Sequence, residues 1–216
     1  SRQGLPTIPA IAETVAIAKY LIMVEATQVR AHFGLLSSGA SVALIQAAKA
    51  KGLPVTCDVA MHQLHLTDHL IDGFNSLAHV RPPLRSEQDK QLLRQGLKDG
   101  VIDAICTHHE PLSGSAKLAP FAETQPGITA FDTFVALGVQ LVDEGLLSAL
   151  EWVEKVTLAP ATVAHMQVRW QEQAGLLLVD PAQTWTVSKE SILSQGKNTP
   201  LLGQQLTGKV LRTFIA

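Results

Sequence analysis

The sequence predicts an α/β fold built on a parallel sheet, and three observations support this. Short runs rich in β-branched residues alternate with helix-length amphipathic stretches, the pattern of βαβ units. The helical stretches carry their own boundary signals, with Ser37-Ser38 and Ser86 as caps and Gly52 and Gly100 as stops. Polar, chemically capable residues collect just after the apolar runs, which is where parallel α/β folds place their sites.

The elements follow in order. Residues 1–9 are rich in Pro and Gly and read as a loop. Over residues 9–27, Ile11, Val15, Ala18, Leu21, Ile22 and Val24 recur at helical spacing, with Glu13 and Glu25 on the opposite face. Residues 29–36 read as a strand, 39–51 as a helix, and 53–59 (LPVTCDV) as a second strand. Residues 75–80 are a weaker third strand candidate. Ser86 opens a helix with Glu87 and Asp89 in its first turn and Lys98 in its last. The run Val101, Ile102, Ala104, Ile105 supplies a fourth strand. After a long loop to Pro126 come helices over residues 129–144, from Ser148 to about Val156, and from Pro160 through Met166.

From Leu176 the texture changes. LLLVD, TWTV and KVLRTFI are short strand-like runs separated by turns at Asp180-Pro181, Gly196-Lys197-Asn198 and Thr207-Gly208. Four parallel strands are half of an eight-stranded barrel, which takes about 250 residues when complete. A four-stranded open sheet is the plainer alternative. Both ends read as cut, or as dependent on further polypeptide.

Composition excludes several classes. Hydrophobic residues make up 46% and charged residues 17% of 216, so the chain is not disordered. A net charge of -2 gives no pull towards nucleic acid or an anionic membrane. No apolar run approaches the roughly 20 residues of a bilayer span, and residues 1–10 have no signal-peptide pattern. The expectation is a soluble, cytoplasmic protein. For Cys57 and Cys106, both in strand-like runs, a disulfide is one reading and reduced core thiols the expected one. Trp152, Trp170 and Trp185 read as packing or interface anchors.

The richest stretch is residues 101–112, VIDAICTHHEPL, where a buried strand breaks into His108, His109 and Glu110. Arg30 and His32, His62 and His65, and His79 and Arg81 follow or sit on the earlier strands. Imidazoles converging at a barrel mouth can hold a divalent metal, although any one of them taken singly is more plainly structural. Hydrolysis at a metal also needs a carboxylate to take the proton from bound water. The strand-end candidates are Glu110 and Asp58, and Asp58 could face either the barrel interior or the helices. There is no glycine-rich phosphate loop and no nucleophile elbow.

Six segments in order resemble dihydroorotase: GLPTIPAIAE from Gly4, KGLPVTCDVAMHQLHLTD from Lys51, VRPPLRSEQD from Val80, GVIDAICTHHEP from Gly100, PGITAFDT from Pro126 and GKNTPLLGQQLTGKV from Gly196. The resemblance implies the C-terminal half of a (β/α)8 TIM-type amidohydrolase barrel over residues 1–166. The C-terminal strands of a small flanking β domain would take residues 167–216. It also implies that the N-terminal half of the barrel, with a His-x-His metal pair and a metal-bridging acid, lies outside this stretch.

The matching positions depart from the family. Where the family reads roughly Cys-His-x-Ser-Thr-Ala, with a metal-binding histidine, this chain has Leu35 in the ligand place. The next metal histidine is retained as His62, a vestigial ligand, but the histidine that follows it is Gln63. The substrate asparagine of Asn-Pro-Pro-Leu-Arg is Arg81, larger and permanently charged. In the family's Thr-Asp-His-Ala-Pro-His, the aspartate that serves as base is here His108, and the last, substrate-binding histidine is Leu112. General acid–base chemistry alone contributes about 10²–10⁴-fold.

By resemblance the chain is therefore a catalytically inactive, oligomer-forming subunit. It is similar to the non-catalytic dihydroorotase-like chains that assemble with the aspartate transcarbamoylase catalytic chain in pyrimidine biosynthesis, and no cofactor is expected. Two alternatives stay open. One is an active cyclic amidohydrolase with zinc held by substitute ligands such as His108 or Glu110. The other is a small-molecule binder whose remnant pocket presents Arg81 and His109 to an anion.

Overall fold

A computed structural model describes residues 4, 5, 7–166 and 175–215. Three short strands, β1 (Ala31–Phe33), β2 (Val55–Ala60) and β3 (Ala104–Cys106), form a parallel sheet in that order. Ala31 lies opposite Val55, and Asp58 opposite Ala104. Alternation along β2 sends Val55, Cys57 and Val59 into one buried cluster with Val42 and Ile45 of α2 (Gly39–Ala50) and Leu93 and Leu97 of α3 (Glu87–Lys98). Thr56 and Asp58 take the other face, the barrel interior.

Helix ends follow their sequence signals. Ser38 and Ser86 cap α2 and α3 by accepting from the backbone N–H groups of Ser41 and Asp89. Gly52 and Gly100 then turn the chain at φ 79° and 72°, left-handed values that a glycine adopts without strain.

The structure corrects the strand count. Residues 75–80 form no strand: the Asn75 side chain accepts from Leu77 N–H and starts a 3-10 turn over Ser76–Ala78. The His79 carbonyl is taken by the Lys117 ammonium, so this backbone is satisfied outside any sheet. The sheet thus has three strands, not four. β1 is also shorter than predicted, because the chain turns at Leu35, where φ is 59°.

The first helix, α1 (Ala10–Thr27), faces differently from the prediction. Ile17, Leu21 and Val24 are buried, while Ile11, Val15 and Ile22 are exposed. Glu13, expected on the solvent side, is instead recruited by the loop at Ser37 and Ser38.

After β3 come α4 (Phe131–Asp143), α5 (Ala149–Val156) and α6 (Leu158–Val163), the last with Pro160 inside it rather than at its start. Trp152 of α5 lies so close to Gly138 of α4 that an added Cβ would meet its indole at 2.1 Å. The C-terminal runs form two long antiparallel strands, β4 (Leu176–Thr186) and β5 (Gln205–Phe214). Asp180-Pro181 is no turn between strands. The Asp180 carboxylate accepts from Ala182 and Gln183 N–H, making a local irregularity inside β4. Trp185 donates to the Gly208 carbonyl across the ribbon.

Val187, Ile192, Leu201 and Leu206 belong to the same buried cluster as Leu137 and Leu141 of α4, so the β element packs into the barrel-side core. The expected boundary between residues 166 and 167, and Trp170, lie at or within positions outside the described residues. Both thiols are free; Cys57 contacts the Val101 carbonyl and Cys106 the Asp58 carboxylate. Among the described residues, no helix is long and apolar enough to cross a membrane.

Candidate functional site at the barrel mouth

Each parallel strand delivers one predicted site residue to the face where the strands end. β1 runs into Leu35, whose left-handed backbone is held by its N–H donating to Asp58 Oδ1 at 2.7 Å. β2 runs into a 3-10 turn (Met61–Leu64) that carries His62, only 2% exposed. β3 leads to His108, also left-handed at φ 46°. Non-glycine residues in this backbone region are strained, and such strain gathers at functional sites. The mouth keeps it at two positions.

The His62 and His108 rings stack with centroids 5.6 Å apart and planes 24° from parallel. Neither nitrogen of His62 has a hydrogen-bond partner among the described residues, nor has His108 Nδ1. Burial, with the neighbouring His108 adding to it, pushes the His62 imidazole down to about 3. Burial likewise pushes His65 down to about 4. His62 is therefore neutral at pH 7, and its nearest ring is another imidazole. His108 Nε2 lies 3.7 Å from Glu110 Oε1, whose side chain is 45% exposed.

Asp58 faces the barrel interior, which resolves the choice the sequence left open. Its carboxylate accepts from Leu35 N–H and pairs with His32 Nε2 at 2.8 Å. Burial alone would raise this carboxyl; the hydrogen bonds from His32 and Leu35 outweigh it and hold the group below its usual range. His32 Nδ1 meets Thr56 Oγ1 at 2.8 Å. Thr56 was not singled out in the sequence, yet its place two residues before Asp58 and opposite His32 sets all three on one face.

The remaining predicted positions separate. His109 Nδ1 accepts from Ala130 and Phe131 N–H and its ring stacks on Phe131 at 3.9 Å, so it caps α4. Arg81 is exposed and lines a different cavity, one that His109 does not line. Leu112 is half-buried and fixed through its N–H, which donates to Asn198 Oδ1 at 2.7 Å.

Asn198 is more than the turn residue the sequence suggested. It is 3% exposed; its Oδ1 also accepts from Thr129 Oγ1, and its Nδ2 donates to the Glu110 and Gly127 carbonyls. One amide thus ties together both ends of the loop after β3, Glu110 and Leu112 at its start and Gly127 and Thr129 at its close. Gly196 beside it is required by close approach, since a Cβ there would lie 2.5 Å from Leu112 N.

These residues do not fit a metal ion. Leu35 offers no donor, and among the described residues no three His, Cys, Asp or Glu side chains are grouped to hold a metal.

No protein-family model matches the chain. It is 44% identical to a dihydroorotase-like protein of Pseudomonas aeruginosa and 39% identical to a dihydroorotase of Syntrophus aciditrophicus, each over 98% of this chain. The chain is a relative of the dihydroorotases. It spans about half the length of these dihydroorotase relatives, 51% and 50% respectively. Among solved structures it is similar to an L-hydantoinase (dihydropyrimidinase) of Arthrobacter aurescens, with a TM-score of 0.85 and 24% identity over 96% of this chain and 48% of that one. It is also similar to the inactive dihydroorotase-like domain of a Chaetomium thermophilum CAD-like multifunctional protein, with a TM-score of 0.68 and 22% identity over 93% of this chain and 55% of that one. The dihydroorotase-like chain accordingly has the fold of a partial amidohydrolase barrel followed by strands.

Proposed function

We propose that this dihydroorotase-like chain is catalytically inactive, holds no zinc, and serves in the cytoplasm as a structural subunit of pyrimidine biosynthesis that supports the assembly of aspartate transcarbamoylase. The observation that carries the first part is the make-up of the mouth: Leu35 stands in a ligand place beside His62 and His108, and among the described residues no three His, Cys, Asp or Glu side chains are grouped to hold a metal. A hydrolase of this type needs a base beside activated water. At the corresponding position His108 brings no negative charge.

The scaffold part rests on the resemblance and on surface. The free edge of β1 has no strand partner among the described residues. Beside it runs an apolar groove lined by Tyr20, Met23, Val29 and Phe33, and α1 exposes Ile11, Val15 and Ile22. An open strand edge next to an apolar groove suits a further strand and helix layer, such as the N-terminal half of the same barrel. One observation favours the second reading, an active dihydroorotase with substitute ligands: His108 and Glu110 approach to 3.7 Å at the place of the missing base.

The assembly is tested by mixing the chain with the aspartate transcarbamoylase catalytic chain at micromolar concentration, followed by size-exclusion chromatography with light scattering. Co-elution and a larger, more heat-resistant transcarbamoylase oligomer are expected. Two components that elute separately, with the oligomer unchanged, would sink the scaffold role.

A further inference from the structure

The barrel-interior face of β1 and β2 carries a polar cluster that includes none of the positions altered at the mouth. His32 Nδ1 lies 2.8 Å from Thr56 Oγ1, and His32 Nε2 lies 2.8 Å from Asp58 Oδ2. Hydroxyl, imidazole and carboxylate therefore stand in line. This is the order in which a nucleophile, its base and the group that orients the base are arranged.

The protons of the cluster can be placed. Burial would raise the Asp58 carboxyl, but hydrogen bonds from His32 and Leu35 outweigh it, so the group is ionised at pH 7. An ionised carboxylate only accepts, so His32 Nε2 carries the proton shared with it. In the neutral ring Nδ1 then bears the lone pair and accepts from the Thr56 hydroxyl. Thr56 Oγ1 has no other hydrogen-bond partner among the described residues. Its one proton is aimed at a base.

The alignment is fixed by its surroundings. His32 and Thr56 are partners in the β1–β2 ladder, and Asp58 Oδ1 accepts from Leu35 N–H at 2.7 Å and from Cys106 Sγ at 3.4 Å. Burial and that carboxylate push the Cys106 thiol far above its usual range, so the nearby sulfur stays protonated and unreactive. The His32 side chain is 30% exposed and lines the groove beside β1, and Thr56 is half-buried.

We propose that Thr56 is an acyl-acceptor site, its hydroxyl activated by His32 and reactive towards small activated esters. The Thr56 oxygen forms the bond to the acyl carbon while its proton passes to His32 Nδ1. The bond from the acyl carbon to the leaving oxygen breaks, that oxygen keeps the electron pair, and the imidazolium gives its proton to it. The chain accepts one acyl group and opens no ring, so the site is independent of the mouth and of the scaffold role.

Incubation of the full chain with p-nitrophenyl acetate tests it, with nitrophenolate release giving the rate and peptide mass spectrometry the site. Acetyl on Thr56 is expected, at up to one group per chain. His32→Gln is expected to slow its formation about 100-fold or more, the lower range of general-base assistance. Thr56→Val, which keeps a β-branched side chain on the strand, is expected to abolish it with the circular dichroism spectrum unchanged. Thr27→Val, which removes an exposed hydroxyl that donates to the Met23 carbonyl, is expected to leave Thr56 acetylation intact. Acetyl found only on lysines, Cys106 or His32, acetyl on Thr56 that forms as fast in His32→Gln, or no acetylation of the folded chain would overturn the assignment.

Discussion

Replacing Arg85 by alanine is expected to cost about 3–5 kcal/mol of stability, because it strands a buried carboxylate. The Arg85 side chain is 9% exposed and that of Glu13 16%. Arg85 bonds Ser37 Oγ and the Ile8 carbonyl, and its Nη2 lies 3.8 Å from Glu13 Oε2. The Glu13 carboxylate also accepts from Ser37 N, Ser38 N and the Ser37 hydroxyl. One cation thereby joins the entry of α1, the cap of α2 and the segment leading into α3. Without it the carboxylate keeps its N–H donors and loses its counter-charge, and the Ile8 carbonyl loses a donor. Arg85→Lys restores charge but not the fork, so about half of the loss should return. Urea unfolding at pH 7 measures both variants. A cost below about 1 kcal/mol for Arg85→Ala, the size of a solvated surface pair, would show that water already screens the cluster.

His62→Leu is expected to stabilise the chain, by about 1–3 kcal/mol at pH 7, which reverses the usual outcome of changing a buried residue. His62 buries two ring nitrogens with no partner among the described residues, and leucine fills a similar volume without polar atoms to desolvate. The effect should grow in acid. The His62 pKa falls from 6.5 to about 3 on folding, so below pH 6.5 the unfolded chain takes up the proton and the folded one does not. The stability tied to this group is whole above pH 6.5 and is lost as pH falls towards 3, at about 1.4 kcal/mol per unit. His65, at about 4, and Asp58, held low by His32, lose stability in the same direction. The variant should therefore show a flatter decline between pH 6.5 and 4 than the parent. A variant that is less stable at pH 7 and equally acid-sensitive would mean that His62 is well satisfied where it stands. Stabilisation on removing a residue is a mark of one kept for chemistry; here it would be the trace of a former ligand.

Local signals survived into the fold and distant ones did not. Ser38 and Ser86 cap helices as their positions suggested, and β2 kept its alternation, because capping and pleating depend on neighbours in sequence. Residues 75–80 looked strand-like through composition, but the Asn75 side chain and the Lys117 ammonium, 38 residues after His79, redirected that backbone. The faces of α1 were misjudged because the helix is apolar on more than one side, and periodicity alone cannot say which side finds a partner. At the site, the altered positions Leu35, Arg81, His108 and Leu112 were legible by resemblance. Their arrangement was not. The stacking of His62 on His108, the capping role of His109 and the four hydrogen bonds of Asn198 arise from contacts between segments that sequence spacing does not encode.

Zinc content of the full chain, measured together with dihydroorotate ring hydrolysis before and after chelation, tests the central claim most directly. A mouth of Leu35, stacked His62 and His108, and Leu112 predicts zinc far below stoichiometric and no chelator-sensitive turnover, even after incubation with excess zinc. Stoichiometric zinc accompanied by ring hydrolysis that a chelator abolishes would contradict it, and would make His108 and Glu110 working members of an active site.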